Sequence, residues 1–231
     1  MLVDCKEGAR GLLFALDCPG RIIAAGCQHL SAAGAAELEA WQPTVWPVNT
    51  CLLFPHLLGC LPGKPLFGTL IALLHDGKPV LGIIDQPVTR ERWLGVAGRS
   101  TMLNSQMIAA RPCPHLGDAY LYATTPHMFA GASAEAFARL RDAVCIPLYG
   151  CDCYAYGLLA AGHCDLVAEA DLKPYDYMAL IPVVEGAGGV ITDWAGGPLR
   201  WAPGMGDRPG EVLAAGDATL HSAALEKLAW R

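Results

Sequence analysis

Residues 149–193 read YGCDCYAYGLLAAGHCDLVAEADLKPYDYMALIPVVEGAGGVITD, and the reading of this stretch decides the fold. CYAYGLLAA is an apolar run of helical length that stops at Gly162, and Asp152 stands before it where an N-cap would accept from the first free N–H groups. CDLVAEA then alternates Leu166 and Ala168 with Asp165, Val167 and Glu169, the pattern of a strand in a layered sheet. LKPYD delivers Asp176 directly before YMALIPVVEGAGG, a second helix closed by Gly186, Gly188 and Gly189. Acids at helix starts beside a strand that ends in an acid suit a metal or phosphate corner. They suit two ordinary helix caps equally well.

Working outward, the downstream part continues the same way. GVITDW and EVLAAG are expected strands, and Asp217 is placed to cap a last helix running through Leu228. Upstream, LFGTLIALL and KPVLGIIDQP flank Asp76-Gly77, a dipeptide that favours the positive φ of a tight hairpin. ERWLGVAG supplies a third strand, residues 101–106 a turn around Asn104, and DAYLYATTP a fourth strand. AEAFARLRDAV after Ser133 is an amphipathic helix with Phe137, Leu140 and Val144 on one face. Elements arrive in clusters rather than strict alternation, which argues for an α+β layered sandwich over a doubly wound sheet.

The first 62 residues are less legible. GLLFAL and RIIAAG fit either a short helix or a strand, and AAGAAELEAW, carrying Glu37 and Glu39, fits a helix capped by Ser31. Pro43, Pro47, Pro55 and Pro62 then forbid a regular helix and spoil a central strand. The chain thus divides into residues 1–62, of weak pattern, and residues 63–231, which form the sandwich region.

Composition excludes several classes. The 231 residues carry a net charge of −6 without a Lys/Arg cluster, which argues against nucleic acid as a partner. No apolar run of about 18 residues exists, so no membrane span is expected. Ten cysteines are scattered without a CxxC pair, and Cys151-Asp152-Cys153 has the wrong spacing for a zinc knuckle. MLVDCKEGAR has no secretory character. Reduced thiols and a cytoplasmic location are the expectation.

Tyr175-Asp176 followed by a helix ending in Glu185-Gly186-Ala187-Gly188-Gly189 resembles the C-terminal signature of the inositol monophosphatase family of magnesium-dependent phosphatases. The wording from Gly150 to Asp176 is most similar to the histidinol-phosphatase branch, and the resemblance extends from Gly63 to about Trp230. It implies an αβαβα sandwich, commonly a homodimer, that uses Mg2+ to hydrolyse a small phosphate ester. It makes Asp176 a metal ligand, Glu169 a substrate contact, and Gly150, Cys151 and Asp152 the turn that meets substrate. An acid at Asp152 suits an amine or imidazolium, so the resemblance points to histidinol phosphate, a step of histidine biosynthesis. Tyr154 and Tyr156 read as core or dimer surface.

The pattern breaks before Gly63. The family carries D-P-I-D-G-T there, two metal-binding aspartates and a threonine that orients water; counting back, their places fall on Leu52, Pro55 and Leu57. The family's earlier Glu-Glu motif is also missing, since Glu37 and Glu39 do not match it. One carboxylate cannot hold a metal pair beside a phosphate. Two accounts stay open: a front segment altered by a shifted reading frame, giving a product that no longer works as an enzyme, or a catalytically silent relative that still binds a phosphorylated or amine ligand.

Overall fold

The computed structural model describes residue 66 and residues 68–201 and 210–229, together with the backbone of three short strands nearer the start. Those strands are β1 (Leu2–Val3), β2 (Leu12–Leu16) and β3 (Ile22–Cys27), joined antiparallel in the order β1-β2-β3. GLLFAL and RIIAAG therefore resolve to strands. Glu37, Glu39, Leu52, Pro55, His56 and Leu57 lie outside the described residues.

The hairpin expected around Asp76-Gly77 joins β4 (Thr69–His75) to β5 (Lys78–Gln86), and both turn residues take positive φ, 48° and 73°. β6 (Glu91–Val96), β7 (Met102–Leu103) and β8 (Gln106–Met107) extend an antiparallel sheet in chain order. The turn read at Asn104 is the β7–β8 turn, where Asn104 and Ser105 have φ of 48° and 70°.

The second sheet has the order β10-β9-β11-β13-β12, with β9 at Tyr120–Ala123, β10 at Ile146–Tyr149, β11 at Leu166–Glu169, β12 at Val190–Thr192 and β13 at Val212–Ala215. β10, β9 and β11 run parallel, and β13 and β12 follow antiparallel. The sequence pattern did not reveal β10. Its segment is four residues long, contains Pro147, and pairs on one side only, as an edge strand with a proline can.

The helices are α1 (Ala132–Arg141), α2 (Tyr154–Ala160), α3 (Pro174–Tyr177), α4 (Leu180–Gly186) and α5 (Ala218–Leu228). Asp217 caps α5 as expected, its Oδ1 accepting from the N–H groups of Thr219 and Leu220. α1 stops at Arg141, so Val144 lies beyond the helix whose face it was expected to share.

Two cores set the layers. Leu70, Ile84 and Trp93 of the first sheet, Tyr156 and Leu159 of α2, Val183 and Val184 of α4, and Val167 and Ala214 of the second sheet form one. The alternate strand positions, Leu166, Ala168, Leu213 and Ala215, form the other with Phe137 and Leu140 of α1 and Leu220 and Leu228 of α5. The order sheet, helices, sheet, helices is the α+β sandwich expected. β11 is covered on both faces, so all four of its residues are buried and its one acid, Glu169, is not on a solvent side.

Helix α4 lies with its backbone against the first sheet. A Cβ on Gly82 would stand 1.9 Å from Ala179 O, and one on Gly95 2.3 Å from Pro182 O. Glycine is required at both places by close approach. Among the described residues no helix is long and apolar enough to cross a membrane.

Candidate functional site

Parallel strands β10, β9 and β11 all end on one edge of the second sheet, where Gly150–Asp152 follow β10, Thr124 follows β9 and Glu169 closes β11. From β9 the chain steps out to β10, then crosses back to β11 on the other side of β9. A crevice beyond the carboxyl ends of parallel strands, where the order of connection reverses, is where open α/β sheets bind ligands. The fold thus gathers four of the five predicted site residues at one edge.

Glu169 ends β11 on the same face as Val167, toward α2, and is 3% exposed. Its Oε1 accepts from the N–H of Thr124 at 3.0 Å and from the Thr124 hydroxyl, and its Oε2 accepts from the Tyr156 hydroxyl at 2.8 Å. Burial pushes the carboxyl pKa up and the Asp152 charge adds to this, while the Thr124 and Tyr156 donors pull it down. The Tyr156 phenol is held well above its ordinary value, by burial first and then by the Glu169 charge. Tyr156 is core, as its sequence context implied, but its hydroxyl is what grips Glu169.

The turn before α2 is tied to β9 and does not cap the helix as expected. Gly150, with φ of 89°, gives its own N–H to Thr124 O at 3.0 Å, so that amide ties the turn to β9 rather than facing a ligand. Asp152 is not the N-cap of α2. The cap position belongs to Cys153, no side chain caps it, and Asp152 sits one residue earlier with φ of 45°. Its carbonyl takes the N–H of Ala155, and its half-buried carboxylate lies in the field of Glu169. Cys151 and Cys153 are buried thiols. Cys153 is pushed up to about 12 by burial first, then by the charges of Asp152 and Glu169 and, more weakly, of Asp176.

Asp176 does not precede one long helix. It is the third residue of the short helix α3, where its Oδ2 accepts from Lys173 N–H at 2.8 Å, and α4 begins separately at Leu180. Pro174 opens α3 because its missing N–H costs nothing in a first turn. Among the described residues no three His, Cys, Asp or Glu side chains cluster so as to hold a metal ion. Magnesium asks for several hard oxygens in near-octahedral array, so the described residues do not fit a magnesium centre.

Beside the site, Tyr154 donates to Glu91 Oε2 at 2.7 Å and meets Trp93 edge-on at 5.4 Å between centroids. Trp93 packs on Gly157, and its buried Nε1 has no hydrogen-bond partner among the described residues. Thr124 and Tyr156 were not singled out from sequence as functional. The available signal was a phenol inside an apolar helix, because a buried hydroxyl needs a partner.

The sequence profile of the inositol monophosphatase family matches residues 60–229. The chain is 56% identical over 172 residues to the bifunctional phosphatase IMPL2, chloroplastic, of Arabidopsis thaliana, covering 74% of this chain and 50% of that protein. It is 34% identical over 147 residues to a histidinol-phosphatase of Mycobacterium tuberculosis, covering 59% and 55%. A solved inositol monophosphatase from Zymomonas mobilis superposes with a TM-score of 0.71 at 46% identity, covering 75% of this chain and 67% of that one. The chain spans about half the length of the curated relatives it matches.

Proposed function

Because the chain belongs to the inositol monophosphatase family, whose members are metal-dependent phosphatases, we propose that it carries the substrate-gripping half of a magnesium-dependent phosphomonoesterase. Its substrate on this reading is a small phosphate ester of a cationic alcohol, histidinol phosphate first. The observation that carries the proposal is the buried Glu169 carboxylate. It stands with Asp152 in its field, and among the described residues it has no Lys or Arg ion pair. A buried site with excess negative charge favours an ammonium or imidazolium, whose bonds to carboxylate are charge-assisted, over a neutral polyol. Similarity to the two relatives named histidinol-phosphatase, at 29% and 34% identity, supports the same substrate class.

On this reading Glu169 and Asp152 meet the alcohol side, Gly150 and Cys151 shape the turn beside it, and Asp176 is the metal ligand that remains. The protein acts as a homodimer in a thiol-reducing compartment, the cytoplasm by its own cysteine usage. Residues 63–231 make up the family's sandwich, and residues 1–62 form a separate segment that does not carry its metal motifs.

A specific observation favours a second reading of the turnover step. Leu52, Pro55 and Leu57 occupy the places of two metal-binding aspartates and a threonine, so this chain would bind ester and release little phosphate. The test is calorimetric binding of histidinol phosphate and inositol 1-phosphate, with phosphate release measured in magnesium and in EDTA. Tighter binding of histidinol phosphate is expected. Equal or tighter binding of the inositol ester refutes the substrate reading, and brisk chelator-sensitive turnover refutes the binding-only reading.

A further inference from the structure

Glu169 presents an unusual combination: a carboxylate almost wholly out of water, held on both oxygens by donors from two different elements. Thr124, at the end of β9, supplies the backbone and hydroxyl donors to Oε1. Tyr156, on the first turns of α2, supplies the donor to Oε2 and is itself fully buried, so its ring cannot swing to water. The charged and titratable groups around this carboxylate are Asp152 and Cys153 before α2, Tyr156 on α2, and Asp176 on α3, whose charge reaches Tyr156 and Cys153. Among the described residues, the charges that act on Glu169, Cys153 and Tyr156 are all negative. Only neutral donors stand between Glu169 and protonation.

We propose that Tyr156 is a positioning residue for substrate charge selection: its hydroxyl, with Thr124, fixes the Glu169 carboxylate as an oriented anion that accepts a cationic alcohol and disfavours a neutral one. This rests on the reading that Glu169 meets the alcohol side of the substrate. Removing the phenol oxygen leaves Oε2 short of a donor in a dry place, which favours the neutral acid and frees the side chain to rotate. A neutral acid has no charge to offer an ammonium. Selectivity between cationic and neutral alcohols therefore depends on a hydroxyl that need not touch either.

The test uses the full chain in EDTA with histidinol as the probe and inositol as the neutral comparison. Tyr156→Phe keeps the ring and its packing. It should lower histidinol affinity about tenfold at neutral pH, the size of one charge-assisted hydrogen bond, and leave inositol affinity unchanged. The pH below which histidinol binding is lost should move upward in the variant. In a Glu169→Gln background the same change should have no further effect, because interacting sites are non-additive. Thr124→Val removes a donor from the other oxygen and should move the pH profile the same way, which keeps the idea testable if Tyr156→Phe does not fold. An unchanged pH profile in both variants, or full additivity with Glu169→Gln, overturns the role given to Tyr156 while leaving the substrate reading intact. No histidinol binding by the unaltered chain overturns the substrate reading itself, and this inference with it.

Discussion

Arg111→Ala should cost the fold about 3 kcal/mol, and the reason lies in one carboxylate. Asp165 precedes β11 and its side chain is 1% exposed. Arg111 Nε reaches Oδ1 at 2.6 Å and Nη2 reaches Oδ2 at 2.7 Å, while Tyr120 N–H donates to Oδ2 at 2.8 Å. The guanidinium also lies over the Tyr120 ring, 5.1 Å from its centroid. Truncating Arg111 leaves a buried charge with one neutral donor, and breaking such pairs costs about 3–5 kcal/mol. The Arg111 side chain is 40% exposed, so water can enter where it stood and the lower end applies. For a chain of this size the loss corresponds to roughly 6–12 °C in melting temperature. Urea unfolding followed by circular dichroism, with the slope checked for constancy, measures it. Arg111→Met combined with Asp165→Asn should recover at least half the loss, because Asn still accepts from Tyr120 N–H and no charge remains buried. A loss below about 1 kcal/mol for Arg111→Ala, the size of an exposed ion pair, would refute the claim that Asp165 is dry.

Gly82→Ala should prevent folding or cost several kcal/mol on expression and melting assays, since its Cβ would stand 1.9 Å from Ala179 O, backbone that cannot step aside. Burial holds His221 below its ordinary value of 6.5, so the unfolded chain binds the proton first and stability falls as pH drops through that value. His221→Gln, whose amide can still donate to Thr192 Oγ1 in place of Nε2 at 3.0 Å, should flatten melting temperature between pH 7.5 and pH 5. For Glu169 the sign is opposite: its carboxyl is raised above 4.5 mainly by burial, so its contribution to stability declines as pH rises past that point. Glu169→Gln should therefore melt higher than the unaltered chain at pH 7, converge with it below pH 4.5, and bind histidinol more weakly but measurably.

How much of this was legible beforehand depends on the range of the interactions involved. The Asp76-Gly77 hairpin, the Asn104 turn and the Asp217 cap are fixed by residues within a few positions of one another, and all three stand where the sequence put them. Asp152 misled because an acid before an apolar run has the composition of a cap. Its φ of 45° is instead imposed by a turn whose Gly150 amide is tied to Thr124 O across the sheet. Asp176 misled in a related way, since the Pro174 start made a separate short helix that ends before Leu180. Strand β10 and the Tyr156–Glu169 bond were invisible because both are set by tertiary pairing rather than by local pattern. Leu52 and Pro55, where the resemblance expects two aspartates, lie outside the described residues.

Trp93 gives the molecule an optical handle. Its indole, on β6, is buried with no hydrogen-bond partner for its N–H among the described residues, rests on Gly157 and abuts Tyr154, so it packs against the helix that carries the phenol holding Glu169. An indole in so dry a setting emits toward the blue, and slight shifts of α2 alter its quenching. Occupancy at the carboxyl edge of the second sheet would then register as a change in emission from the first, with no label attached.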